Sequence, residues 1–539
     1  MTEGPETNED AAVDEDAAVD AEPVVDAGSV ADEAWRSLDR RTVVLTAVVM
    51  TGVAGGAALP VFAGLTGALP WWQALGWVFG GVVLLVGAGT AADHVRWRRT
   101  RYRVGPERAE LHTGLLLTRR RSLARERIRS VDLTANPLQR VLGLVKVRIG
   151  TGEHTGDGQS TLELDPVTTA EGERLRRELL AHTAASGAEA RTDGVLAAFD
   201  PRWMRYAPLS FVAPLLGGAA VGAVMQISEW FGVQGEVIDW TVERFAATPL
   251  LWAVGVIAAG VLVAGVVGAL GLWTEMWFGY RLEREPGGTL RLRRGLLTAR
   301  SLSIEERRLR GVELVEPLGV RLFGAARVDA VATGLTNDED DTHTDIKTLL
   351  PPVPRTVADG AVADVLREHR APTSAPLTPH PPAARSRRLR WALTGALLPA
   401  VVIAVLGGAL RDDTLLYAAA LCALLLPPPA VLLALDAYRS LGHTIGGPYL
   451  LARSGTVRRS TVALQRSGII GWTLKQSWFQ RRAGLLTLIA TTAAGAGAYA
   501  VYDAGEHELL HFADHAVPGL LEPFLATPEQ GREREPSGE

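Results

Sequence analysis

The 539-residue chain is 47% hydrophobic, yet its mean hydropathy is only +0.12, so apolar blocks must alternate with polar ones. That length exceeds one globular core and points to three or more units; a net charge of −5 excludes a globally basic nucleic-acid binder. The single cysteine, Cys422, excludes a disulfide framework within the chain and a cysteine-based zinc knuckle.

Residues 1–40 are rich in Asp, Glu and Ala, lack an apolar core or basic start, and read as a solvated acidic tail rather than a signal peptide. No charge occurs in residues 42–92, a stretch long enough for two helices of about 20 residues each. Pro60, Gly67, Pro70, Trp71 and Trp72 supply a turn with interfacial aromatics, so 41–92 is a transmembrane hairpin. A soluble segment, 93–185, and a linker, 186–206, follow. The region 207–274 holds uncharged spans at 207–228 and 245–274, and is followed by a second soluble segment, 275–370. After a Pro/Arg-rich linker, 371–388, a third hairpin occupies 389–436. Its second span contains Pro427, Pro428 and Pro429, which should kink it. A third soluble segment, 437–524, and a polar tail, 525–539, complete the chain.

Arginines flank the outer ends of the hairpins: Arg36, Arg40 and Arg41 before the first, Arg96, Arg98, Arg99, Arg101 and Arg103 after it, Arg202 and Arg205 before the second, and Arg385, Arg387, Arg388 and Arg390 before the third. The connection 229–244 instead carries Glu229, Glu236, Asp239 and Glu243 against Arg244. By the positive-inside rule, both termini and all three soluble segments face the cytoplasm.

The soluble segments share a register. Gly114, Gly295 and Gly455 are each followed 14 positions later by an apolar residue (Ile128, Leu309, Ile469), 26 positions later by an arginine (Arg140, Arg321, Arg481) and 29 positions later by a second glycine (Gly143, Gly324, Gly484). Alternating segments before and after the first glycine predict short strands. The first glycine sits at a strand-to-strand turn. Residues 137–142 and 320–323 read as single helical turns ended by the second glycine, and a closing helix is expected at 169–184, 356–369 and 506–516. On the same register the uncharged stretch 483–502 falls on strands, the alternative being a seventh span.

The pattern Tyr102-Arg-Val, Gly114-Leu-Leu, Arg119-Arg120-Arg121, Ile128, Gln139-Arg140 and Gly143 resembles the bacterial pleckstrin-homology (PH) type 2 domain of YdbS/YdbT-like membrane proteins, over about residues 40–520. The resemblance implies an α+β membrane protein with six transmembrane helices in three hairpins, each followed by a PH-like antiparallel β-barrel with a C-terminal helix. It also implies a bacterial cell membrane location but says little about activity; the triplicated architecture and the lack of a convincing catalytic set point to a non-enzymatic role in binding protein partners, a second PH-domain membrane protein among them, in envelope stress or antimicrobial resistance. The third copy departs most, with His443 for the tyrosine and Ser454-Gly455-Thr456 at the turn.

Arg119, Arg120 and Arg121 could contact anionic lipid, each cation near a charged bilayer contributing about 1 kcal/mol; the plainer reading is a solvated hairpin. His507-Glu508-Leu509-Leu510-His511 matches the HExxH pattern of zinc metalloproteases, with His507 and His511 as ligands and Glu508 as general base. Its place on the third closing helix favours a surface helix instead, and the counterpart helices lack the motif. The acidic loop with Asp338, Glu339, Asp340, Asp341, His343 and Asp345 lacks the spacing of an EF-hand. No phosphate-binding glycine fingerprint or nucleophile elbow occurs. The expectation is therefore a scaffold with no cofactor, whose partners are the lipid bilayer and other proteins, not nucleic acid.

Overall fold

The structure is a computed structural model and describes residues 35–114, 119–128, 130–150, 161–181, 194–210, 212–286, 288–333 and 347–521. Most of the acidic tail, the turn 115–118, the acidic loop 338–345 and the polar tail lie outside the described residues.

The first copy runs β1 (Arg36–Ser37), α1 (Arg41–Thr66), α2 (Trp71–Arg99), β2 (Arg101–Val104), β3 (Arg108–Thr113), β4 (Arg119–Ala124), β5 (Ser130–Ala135), a one-turn helix α3 (Pro137–Val141), β6 (Leu144–Gly150), β7 (Thr161–Thr168) and the closing helix α4 (Thr169–Ala181). In the second come β8 (Gly194–Ala198), α5 (Val212–Trp230), α6 (Gln234–Phe245), α7 (Leu250–Trp277), β9 (Arg281–Glu285), β10 (Thr289–Arg294), β11 (Ala299–Glu305), β12 (Leu309–Pro317), α8 (Leu318–Leu322), β13 (Ala325–Ala332), β14 (Thr348–Pro354) and α9 (Arg355–Leu366). The third comprises α10 (Pro382–Leu410), α11 (Asp413–Leu425), α12 (Pro427–Arg439), β15 (Gly442–Gly446), β16 (Tyr449–Ser454), β17 (Arg458–Gln465), β18 (Ile469–Lys475), α13 (Trp478–Arg482), β19 (Leu485–Thr492), β20 (Ala498–Gly505) and α14 (Glu506–Ala516).

Among the described residues, six helices are long and apolar enough to cross a membrane: α1, α2, α5, α7, α10, and α11 with α12 as one unit spanning Asp413–Arg439. Within each copy the two pack on one another, α1 on α2, α5 on α7, and α10 on α11 and α12. Gly217 and Gly265 allow the close crossing of α5 and α7, because a Cβ on either would strike a backbone carbonyl of the facing helix. The proline triplet breaks the last span at Leu426, where proline rings clash with the preceding turn and lack an N–H. The connection 229–244 adds α6, an amphipathic helix with Ile238, Trp240 and Val242 exposed.

The stretch 483–502 forms β19 and β20, as its register requires, and contributes no membrane helix. Segments ahead of the membrane helices also join the sheets: β1 pairs with β2, β8 with β9, and Thr378 bridges to His443.

The expected barrels are corrected by the structure. Among the described residues no sheet closes; the strands form four antiparallel sheets ordered β1-β2-β3-β4, β7-β6-β5-β11-β10-β9-β8, β14-β13-β12-β17-β16-β15 and β18-β19-β20. A 3-10 turn at Arg125–Arg127, Glu306–Arg308 or Arg466–Gly468 separates the third strand of each unit from the fourth. At the two joints between units, the backbone edges thus freed on β5, β11, β12 and β17 are satisfied by the adjacent unit rather than by closure. The cores follow the same sharing. Tyr449, Leu451 and Ala463 of the third unit pack in the core of the second, and Val331 of the second packs in that of the third.

Candidate interaction surfaces

The repeat residues are framework first. Ile128, Leu309 and Ile469 are buried in their unit cores. Gly143, Gly324 and Gly484 follow α3, α8 and α13 with φ of 70°, 67° and 61°, the left-handed conformation that ends a helix. Gly295 and Gly455 have φ of 111° and 98°, and a Cβ there would run into the carbonyls of Thr298 and Arg458. Gly114 occupies the corresponding place after β3. The glutamine beside the repeat arginine has a role that spacing alone did not expose. Gln139 and Gln480 complete capping boxes with Asn136 and Ser477. Gln480 also donates to Asp503 Oδ1 at 2.9 Å, and Gln139 to Asp165 Oδ1 at 3.2 Å.

Where units meet, the third strand of one pairs antiparallel with the fourth strand of the unit before it. Ala299 faces Ala135 and Ile304 faces Ser130 across β11–β5; Arg458 faces Pro317 and Leu464 faces Gly311 across β17–β12. Counted from each unit's own first glycine, these partners are positions 4 and 21, 9 and 16, 3 and 22, and 9 and 16, each pair summing to 25. The two joints therefore share one register.

A charge cluster locks the first joint. Arg176 of α4 donates to Glu285 Oε2 at 2.8 Å and to Glu173 at 3.0 Å, and Arg291 donates to Glu285 at 3.0 Å and to Glu173. Burial works to raise both carboxylates, but the hydrogen bonds and charges of Arg176 and Arg291 outweigh it and hold them below the usual range. The repeat arginines reach forward as well. Arg140 donates to the carbonyl of Leu296 in the next unit, and Arg321 to Asp436 Oδ2 at 2.8 Å at the end of α12. Arg481 has no side-chain hydrogen bond or ion pair among the described residues.

The basic hairpin lies on β4, the edge of the first sheet. Arg120 is exposed and Arg121 half-buried; the side chain of Arg119 lies outside the described residues. A second basic surface was not singled out by the sequence. An open groove of about 1060 Å³ at the membrane end of the first unit is lined by Trp35, Arg36, Arg40, Trp97, Arg98 and Arg101, among others. Arg36 pairs with Glu171 at 3.0 Å and Arg40 lies over Trp97, leaving Arg98 and Arg101 exposed at its rim. The one-turn helices also lie beside the membrane helices, since Arg41 of α1 donates to the Leu142 carbonyl at 2.8 Å. Their apolar side chains Val141, Leu322, Phe323, Trp478 and Phe479 are exposed.

His507 and His511 are both exposed on α14, and no group of three or more metal-binding side chains occurs among the described residues. Glu508 instead approaches His443 Nε2 at 3.6 Å. His443 Nδ1 lies 3.0 Å from His380 Nε2, and both rings are buried. Burial, reinforced by His380, pushes His443 down to about 4; burial also lowers His380, against the opposing carbonyls of Tyr502 and Asp503. The bridge between Thr378 and His443 brings residue 380 to the sheet and so places the two rings together.

Membrane helices alternating with linked, helix-capped antiparallel units define a polytopic membrane protein with PH-like domains. The chain is similar to bacterial PH-domain membrane proteins of the YdbT-like kind. Residues 47–183 and 396–516 match the bacterial PH domain family model, covering the first and third copies with most of their membrane helices. The UPF0699 transmembrane protein YdbT of Bacillus subtilis (strain 168) is 22% identical over 421 residues, 74% of this chain and 80% of that one. No solved structure matches.

Proposed function

We propose that this protein is a non-enzymatic membrane scaffold, with three hairpins in the bilayer holding three PH-like units on the cytoplasmic face to bind protein. One observation carries the reading: each unit already engages its neighbour by adding a strand to a sheet edge, the general mode of β-augmentation. The arginine-rich outer ends of the hairpins support the cytoplasmic orientation. Anionic lipid is a secondary ligand. Arg98 and Arg101 suit it better than Arg119, Arg120 and Arg121, because their groove opens at the base of the membrane helices whereas β4 forms a sheet edge.

The experiment is photo-crosslinking from residues on β4 and β18 of the full chain in native membranes, with accessibility labelling of cysteines placed at residues 107 and 514. Recovery of protein adducts and labelling only after the cytoplasmic face is opened are expected. Labelling from outside the cell, or adducts with lipid alone, would overturn the reading.

A further inference from the structure

We propose that the two sheet edges left over by the internal joints, β4 at one end and β18 at the other, pair between two copies of this chain. The protein then assembles head to tail through the joint it already contains twice. This rests on the reading of the units as protein-binding modules and names the partner.

The edges are complementary by position. Third strands β11 and β17 are each paired with the fourth strand of the preceding unit, β5 and β12. The first unit's third strand, β4, and the last unit's fourth strand, β18, are the members of that set at sheet edges among the described residues. Applying the common register, with offsets summing to 25, places Arg121 opposite Thr473 (7 and 18) and Leu123 opposite Gly471 (9 and 16).

Burial marks the missing partner. The position 19 after the first glycine is leucine in all three units: Leu133 is 5% exposed, Leu314 0%, and Leu474 on the open edge 43%. On the other strand, position 9 is fully buried in the joints as Ile304 and Leu464, while Leu123 is only half-buried. Arg481, whose counterparts Arg140 and Arg321 reach into the following unit, makes no side-chain hydrogen bond or ion pair among the described residues. Because the contact uses different surfaces on the two copies, it is heterologous and builds rows or rings. Each internal joint places units side by side over one bilayer, so a further joint keeps the next copy in the same plane.

The joint between copies is weaker than those within the chain. At position 18 the second unit has Glu313, whose carboxylate accepts from Ser460 Oγ at 2.7 Å and from Arg458 at 3.5 Å. The third unit has Thr473 there, and its strand ends on Lys475, facing a basic β4. Association is accordingly reversible.

The test uses the full chain in native membranes with Cys422→Ala as background. One tagged copy carries Leu123→Cys and a differently tagged copy carries Gly471→Cys. Opposed residues of an antiparallel pair have Cα atoms about 4.5–5.5 Å apart, within disulfide reach. Oxidation should yield a mixed dimer carrying both tags. Leu474→Lys, at a side chain already exposed, should abolish it. Thr473→Glu, set opposite Arg121, should raise the dimer fraction about two- to fivefold, the range of one cross-strand ion pair. Failure of the mixed dimer to form, or, in a chain given both cysteines, a cross-link confined to that one chain, overturns the proposal. Capture of a different protein at these cysteines overturns self-assembly and leaves the scaffold reading standing; capture of no protein removes both.

Discussion

Arg387, at the foot of the membrane helix α10, donates to Asp503 Oδ1 at 2.7 Å, tying the last strand of the third unit to the bilayer anchor. Asp503 is buried and also accepts from Arg388 at 3.4 Å and Gln480 at 2.9 Å, so one carboxylate joins the helix, the strand and the capping box of α13. Removing it leaves two arginines without their partner. Asp503→Ala should destabilise the third unit by roughly 2–4 kcal/mol, somewhat below the usual loss for a fully buried pair because the arginines are partly exposed. Denaturant unfolding of the protein in detergent checks it, and a change below about 0.5 kcal/mol refutes the assignment.

The histidine pair predicts a pH response. His443 and His380 are held neutral in the folded chain, with His443 at about 4. Above the unfolded value of about 6.5 neither state binds a proton at these rings. As pH falls from about 6.5 toward 4, the unfolded chain gains protons that the folded chain refuses, and stability drops. Glu508, the carboxylate nearest His443 at 3.6 Å, is exposed to solvent. Melting temperature measured between pH 8 and 4.5 should decline in this window, and His443→Gln should flatten the decline.

Two repeat glycines should respond differently to alanine. Gly484 has φ of 61° and open space around its α-carbon, so Gly484→Ala costs about 1 kcal/mol, the price of the left-handed conformation. Gly295→Ala adds a collision with the Thr298 carbonyl and should cost more than about 2 kcal/mol. Equal losses would show that the hairpin turn yields to the added carbon.

The exposed side chains of the one-turn helices should sit in the headgroup layer, where indole rings are favoured. Trp478 and Phe479 meet edge to face with ring centroids 5.0 Å apart, and Arg482 lies over the Trp478 ring. In a variant retaining Trp478 as its sole tryptophan, brominated lipid should quench its fluorescence. Val141→Asp and Leu322→Asp should leave stability in detergent within about 0.5 kcal/mol, since both side chains are already exposed.

Much of this architecture is determined by local chemistry. Uncharged runs identify the six membrane helices because a bilayer tolerates no unpaired charge. The glycine–arginine–glycine spacing identifies the three units, because Gly143, Gly324 and Gly484 must take a conformation that other residues resist. The strand assignment of 483–502 follows from the same spacing. What only the tertiary structure decided is which strands lie side by side. Leu133, Leu314 and Leu474 occupy one register position and alternate identically with their neighbours, yet two are buried at joints and one is exposed at an edge. Ladder hydrogen bonds join backbone groups that every residue shares, so side-chain pattern says which face turns inward but not whether a sheet closes on itself or continues into the next unit. The buried histidine pair, the Arg387–Asp503 anchor and the complementary edges β4 and β18 all follow from that choice of continuation.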